Sequence, residues 1–230
     1  MSLVKEFKVT DNMCGFNRVI KPYGMLDILQ SVAGEDANNL GIGYLDLKAK
    51  GLAFVLARIK YDLYKPIYAY QEILVETTPL VPGRVDFDRD FEIYDKESKE
   101  LIGIATSKWI IIDLKTRKIC RSNVLTYPCS QREKGNYPDF DKLSFDDSDL
   151  KEDYLYLVRH TDIDFLGHMN NTRYADSLKI DKCVKHFEIN YLHEVKLDDI
   201  LFIKHNENKF IGYNGYNVSF KAMCEFFEGE

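Results

Sequence analysis

No apolar run in the sequence approaches the ~20 residues needed to cross a bilayer, which excludes a helical membrane span. The first residues, Met1 to Phe7, hold no signal-peptide core. Cysteine is sparse and poorly arranged: there are five, at 14, 120, 129, 183 and 224, an odd number without a C-x-x-C pair. That speaks against a disulfide framework or a zinc site and for a reducing cytoplasm, and no cofactor is expected. Positive charge is also short. A net charge of −6 argues against nucleic acid as the main partner. What remains is ordinary: 45% hydrophobic and 30% charged over 230 residues, enough for one large domain or two modest ones, each with a core.

Periodicity divides the chain. Val4 to Thr10 reads as a short strand. A helix follows from about Tyr23 to Leu40, with Met25, Leu26, Leu29, Val32, Ala33 and Ala37 on one stripe, Pro22 at its start, and Gly41 and Gly43 at its end. Runs rich in β-branched, aromatic and leucine residues at 52–63, 72–78, 85–94 and 101–113 predict four strands separated by turn signals. Residues 119–153 differ: Pro128, Gly135 and Pro138 break the pattern, and Asp139 to Asp153 carries seven acidic residues against two lysines. This reads as a linker, most of it solvated. The order then restarts with a strand at 154–159, a loop at 160–167, a helix at about 168–183 and strands at 187–195, 199–205, 209–213 and 216–227. The expectation is two α+β units, residues 1–118 and 154–230, each an antiparallel sheet wrapped around one helix, with the second copy offset by about 144 residues.

The stretch Thr161 to Tyr174 reads Thr-Asp-Ile-Asp-Phe-Leu-Gly-His-Met-Asn-Asn-Thr-Arg-Tyr. Two aspartates, a glycine, a histidine and two asparagines crowd into ten residues, where the pattern passes from loop to helix. A capped helix explains each member singly, with Asp164 favoured by the helix dipole and Asn170 and Asn171 as turn residues. It does not explain all of them, because a cap needs one polar side chain. A histidine beside a carboxylate at a helix start is placed for proton transfer or for orienting a substrate, and unpaired N–H groups there can hold a polarised oxygen.

This stretch resembles the signature of the acyl-acyl-carrier-protein thioesterases, double hot-dog proteins that release fatty acids from their carrier. Four further segments, beginning at Leu52, Val75, Arg89 and Ser107, are similar to the family's first half and fall in order. The resemblance implies a tandem hot-dog fold in one chain, with an N-terminal acyl-binding lobe and a catalytic C-terminal unit. It also implies Glu194 as a catalytic carboxylate, since Tyr191 to Val195 is similar to the family segment that contributes one. Plant members carry an asparagine where this chain has Leu166, so a mechanism relying on that amide is not expected here.

Hydrolysis of a thioester needs a base for water and a donor for the oxygen that becomes negative. Glu194 is expected as the base, His168 as its assistant and carbonyl holder, and Asp164 as the group that orients both. Gly167 and Asn170 are expected at the helix start as the oxyanion site. Met25, Leu26 and Leu29 are expected along the acyl channel. His160, His186, His193 and His205 receive no role. An acidic carrier protein needs a basic surface to meet a chain of this charge. Lys108, Lys115, Arg117, Lys118, Arg121, Arg132 and Lys134, against Asp113 and Glu133, supply one, with Arg117, Lys118 and Arg121 at its centre. Two other readings stand beside this one: the same chemistry on coenzyme A esters, and a non-catalytic module that binds acyl thioesters. A homodimer is left open.

Overall fold

The computed structural model describes residues 2–130, 135–137 and 140–228. The first strand, β1 (Leu3–Lys8), leads to α1 (Pro22–Asn39), a short α2 (Tyr44–Ala49), and the strands β2 (Leu52–Leu63), β3 (Glu72–Pro79), β4 (Asp86–Asp95) and β5 (Leu101–Asp113). After the connecting segment come β6 (Glu152–Leu157), α3 (Asn171–Asp176), β7 (Val184–Tyr191), β8 (Ile200–His205), β9 (Lys209–Asn214) and β10 (Asn217–Phe226). Among the described residues no helix is long and apolar enough to cross a membrane. No group of histidine, cysteine and carboxylate side chains there could hold a metal, and none of the five cysteines forms a disulfide.

All ten strands join one antiparallel sheet in the order β1-β3-β4-β5-β2-β7-β10-β9-β8-β6. Read inward from either edge, the two sets of five follow the same order. They meet where β2 pairs β7, from Arg58 opposite Asn190 to Asp62 opposite His186. Alternation along these two strands sets the faces. Ile59, Tyr61, Leu63, Phe187 and Ile189 belong to the core that packs on the helices, and the rings of Tyr61 and Phe187 stack at 5.9 Å across the join.

Pro22 opens α1 with the φ a helix requires, and Met25, Leu26, Ile28, Leu29 and Val32 form its buried stripe. Its C-terminal end is fixed by a buried ion pair between Asp36 and Arg89 at 2.6 Å, with Thr77 also bonded to the guanidinium. The helix ends where Gly41 adopts φ +68°. No periodicity announces α2, which Gly43 opens by donating its N–H to the Asp46 carboxylate at 3.1 Å.

Three expectations are corrected. The second helix spans six residues, not 168–183. The Tyr154 hydroxyl stops it by donating to the Ser177 carbonyl at 2.8 Å and accepting from the Lys179 N–H at 3.2 Å. The two helix starts, Pro22 and Asn171, and the two loop bonds Gly15 N–H to Val19 O and Asp164 N–H to His168 O, set the internal offset at 149 residues and not 144. The linker, too, is not free in solvent. Arg58 donates to the Phe140 carbonyl at 3.0 Å, and Asn190 accepts the Leu143 N–H at 2.9 Å. The Lys60 ammonium lies over the Tyr137 ring at 4.2 Å, and Asp147 pairs with Lys204 at 2.7 Å. Phe140 and Leu150 are buried. The segment therefore crosses the outer face of the sheet over the join, and some of its acidic residues are anchors. Arg132, Glu133, Lys134, Pro138 and Asp139 lie outside the described residues.

Candidate active site

The loop before α3 is a tight turn closed by its own backbone. Ile163 and Met169 bridge its ends, Asp164 N–H donates to His168 O at 2.9 Å, and Gly167 N–H donates to Asp164 O at 3.0 Å. The Asp164 carboxylate accepts the Leu166 N–H at 2.8 Å and the His168 N–H at 3.3 Å. Below it, buried Asp162 accepts the Arg159 N–H at 2.8 Å and the Tyr156 hydroxyl at 3.0 Å, tying the loop to β6. Met169 N–H then reaches the Val195 carbonyl at 2.8 Å and so brings the chain after β7 alongside.

That last bond places Glu194 next to His168. The imidazole Nε2 lies 3.2 Å from the Glu194 Oε2, with the histidine side chain 25% and the carboxylate 40% exposed. Glu194 is not on the predicted strand 187–195: β7 ends at Tyr191, where Leu192 and His193 both turn their N–H groups onto the Ser219 carbonyl. The other carboxylate oxygen is taken by the guanidinium of Arg117, which belongs to the first unit. A second contact from that unit is Tyr44 of α2, whose ring meets Phe165 edge-on at 4.6 Å. His168, Glu194 and Arg117 thus form one line of contacts across the two units, and Asp164 holds the backbone beneath it.

Gly167 and Asn170 do not offer the unpaired backbone donors expected at a helix start, since Gly167 N–H bonds the Asp164 carbonyl and Asn170 N–H the Asp162 carbonyl. The helix begins at Asn171, so Gly167 lies upstream in the turn with φ +83°, and its N–H and that of His168 are engaged by Asp164. Asn170 is the N-cap, and its side-chain oxygen accepts from the Thr172 N–H at 3.0 Å and the Thr172 hydroxyl at 3.1 Å. Tyr174 and Tyr191 sit under the loop with rings 5.4 Å apart. Burial pushes both hydroxyls well above the usual tyrosine value, so neither is a base near neutral pH.

Met25, Leu26 and Leu29 are all buried, and only the two leucines line a crevice. It lies between α1 and the start of α3, with Ile59, Trp109, Thr172 and Tyr191 among its walls, and its volume of about 10 Å³ has room for roughly one water. The expected channel is closed in this structure. The basic run is also less available than its count suggests. Lys108 bonds Asp86 and Asp88 at 2.7 and 2.8 Å, and Arg117 holds Glu194, leaving Lys115, Lys118 and Arg121 exposed. Nothing local marks Arg117 as a partner of Glu194, 77 residues away; its only sequence signal was charge. Of the histidines given no role, His186 pairs with Asp62 at 2.8 Å on the outer face, and His193 bonds the Val218 carbonyl.

Comparison with known proteins agrees in both halves. Residues 2–124 match the family model for the acyl-ACP thioesterase N-terminal domain, and residues 146–222 the model for the C-terminal domain. The chain is 26% identical over 214 residues to the chloroplastic oleoyl-acyl carrier protein thioesterase of Coriandrum sativum, which covers 85% of this chain and 57% of that one. The chain therefore spans a little over half the length of the curated relatives it matches. Among solved structures, an acyl-ACP thioesterase from Bacteroides thetaiotaomicron is 26% identical, with 98% of each chain covered and a TM-score of 0.80. A putative oleoyl thioesterase from Lactobacillus plantarum is 17% identical, with 97% and 95% covered and a TM-score of 0.85. These likenesses, with the strand order above, make the fold a double hot-dog.

Proposed function

The chain belongs to the acyl-ACP thioesterase family, and from that membership we propose that it hydrolyses fatty acyl thioesters of acyl carrier protein, releasing the free fatty acid. The observation that carries the reading is the 3.2 Å contact between His168 Nε2 and Glu194 Oε2, at a turn facing both units. A carboxylate at hydrogen-bond distance from an imidazole, open to solvent, can take a proton from water while the imidazole donates to the thioester oxygen. Water adds to the carbonyl carbon, the carbon–sulfur bond breaks, and the departing thiolate recovers a proton from this pair. Asp164 keeps His168 in place through the backbone. Direct attack by Glu194, giving an anhydride that water then opens, is the competing path through the same residues.

In this reading residues 1–118 form the acyl-binding lobe, residues 119–153 the connecting segment and residues 154–230 the catalytic unit. Lys115, Lys118 and Arg121 are the candidates to meet the acidic carrier, and a reducing cytoplasm suits five cysteines without a disulfide. The deciding assay compares acyl carrier protein and coenzyme A esters across chain lengths. Faster turnover of the carrier esters is expected, with a KM that rises with salt because exposed charges are screened over roughly 8–10 Å. Equal rates on coenzyme A esters at all salt concentrations would move the assignment to an acyl-CoA thioesterase. No hydrolysis of either would end it.

A further inference from the structure

We propose that Arg117 is a positioning residue for hydrolysis: the first unit supplies a guanidinium that fixes the Glu194 carboxylate of the second, with Oε2 turned to His168. The proposal rests on the reading of Glu194 as the base. Glu194 follows β7 in a segment without regular structure and is exposed, so its side chain alone samples several rotamers, of which few keep Oε2 on the imidazole. Two contacts remove that freedom. Arg117 takes Oε1, and His168 Nε2 stands 3.2 Å from Oε2.

Arg117 is itself held firmly enough to serve. It sits at the tip of the turn after β5 with φ +59°, a left-handed conformation uncommon outside glycine. The Asp113 side chain fastens that tip, accepting the N–H groups of Lys115 at 3.1 Å and Thr116 at 2.7 Å and the Thr116 hydroxyl at 2.9 Å. Arg117 N–H donates to the Asp113 carbonyl at 2.8 Å, and Leu114 N–H ties the tip to Gly51 at 2.8 Å. A planar guanidinium presents its donors in a fixed fork, so it orients a carboxylate where an ammonium only attracts it. The hydrolytic centre is then incomplete without the first unit, although every proton-transfer group belongs to the second.

The alternative role, docking an acidic carrier, predicts different kinetics. If Arg117 positions Glu194, Arg117→Ala lowers kcat by about 10-fold on a carrier-bound ester and on a small acyl thioester alike, since displacing a reacting group by an ångström costs up to about 100-fold. KM for the small substrate and the melting temperature stay unchanged, millimolar guanidinium restores part of the rate, and Arg117→Lys recovers less than half. The double variant Arg117→Ala/Glu194→Ala is no slower than Glu194→Ala alone, because one acts through the other. A rise in KM confined to the carrier substrate with kcat intact would overturn the proposal in favour of docking. Multiplicative losses in the double variant would overturn it too. A Glu194→Ala enzyme at near-normal rate would instead remove the reading on which it rests.

Discussion

The turns at Gly15–Val19 and Asp164–His168 have the same backbone and different side chains. In each, the first N–H bonds the carbonyl four residues on, at 3.0 and 2.9 Å. In each, the fourth residue is left-handed, Arg18 at φ +62° and Gly167 at φ +83°. Ile20 N–H reaches the Ile67 carbonyl and Met169 N–H the Val195 carbonyl, both at 2.8 Å. That register sets Asp164 against Gly15, His168 against Val19 and Glu194 against Pro66. The first turn shows which polar groups the conformation needs: Asn17 Oδ1 accepts the Val19 N–H at 3.1 Å, much as Asp164 accepts the His168 N–H. One acceptor suffices to close the turn. Asp164 therefore has a structural duty in the turn, whereas closing the turn needs neither the His168 nor the Glu194 side chain, which is what the proposed chemistry would use.

The strongest way to break this comparison is to remove the two unexplained groups and their counterpart. His168→Ala and Glu194→Ala should each lower kcat by about 100-fold or more, the size of a lost base or oxyanion donor, without loss of the folded state. Val19→Ala, at the same place in the first unit, should cost about 1–3 kcal/mol of stability through the cavity it leaves, yet change kcat less than about three-fold. Comparable rate losses at Val19 and His168, measured as turnover per folded molecule, would mean that the two turns do not divide structure from chemistry.

Asp164→Asn sharpens the division at a smaller expected effect. An asparagine oxygen can accept the same two N–H groups, and in the first turn the Asn17 amide oxygen already serves by accepting the Val19 N–H, so unfolding midpoints in urea should hardly move. Loss of the charge beside His168 should lower kcat about 10-fold, less than removing a proton-transfer group itself. A fall as large as that of Glu194→Ala would give Asp164 a direct part in the reaction.

How far the sequence reached follows the same line. Alternation of apolar residues placed nine of the strands closely, because a buried face leaves a local trace at every second residue. It failed at Glu194, where the strand stops as Leu192 and His193 donate to the Ser219 carbonyl, which no local pattern announces. It also overran α3, since Leu178 and Val184 keep helical spacing while the Tyr154 hydroxyl, 23 residues away, ends the helix. Within the candidate site, Asp164 and His168 stand together in one motif, and Glu194 came only from the family resemblance. Arg117 was read for charge, not for its partner, because its pairing depends on the register by which the two sheets join.

The two helices differ as the turns do, and that difference bears on chain length. α1 has 18 residues and α3 six, so the crevice wall at Leu26 and Leu29 is supplied by the first unit. Leu29→Phe should lower the rate on long acyl chains by about 10-fold while short chains keep most of theirs, since each excluded methylene forfeits about 0.8 kcal/mol of burial. The measurement is kcat/KM across a series of even-numbered esters. A uniform loss would mark Leu29 as core alone, and the acyl-binding lobe would have to be sought elsewhere.

The smallest effect is expected at Gly167, where the two turns suggest opposite outcomes from a sequence reading and from geometry. A glycine beside a histidine proposed for catalysis invites the view that a side chain would block the substrate carbonyl. Yet a Cβ built at Gly167 meets nothing within 4 Å, and Arg18 holds the equivalent left-handed position with a full side chain. The cost of Gly167→Ala should therefore be the backbone term alone, about 1 kcal/mol of stability, with kcat reduced less than about five-fold. Thermal unfolding and steady-state hydrolysis on the same preparation check both halves. A loss near that of His168→Ala, with stability intact, would show that the substrate passes directly over this residue, and the likeness between the turns would then end at the one atom that matters for catalysis.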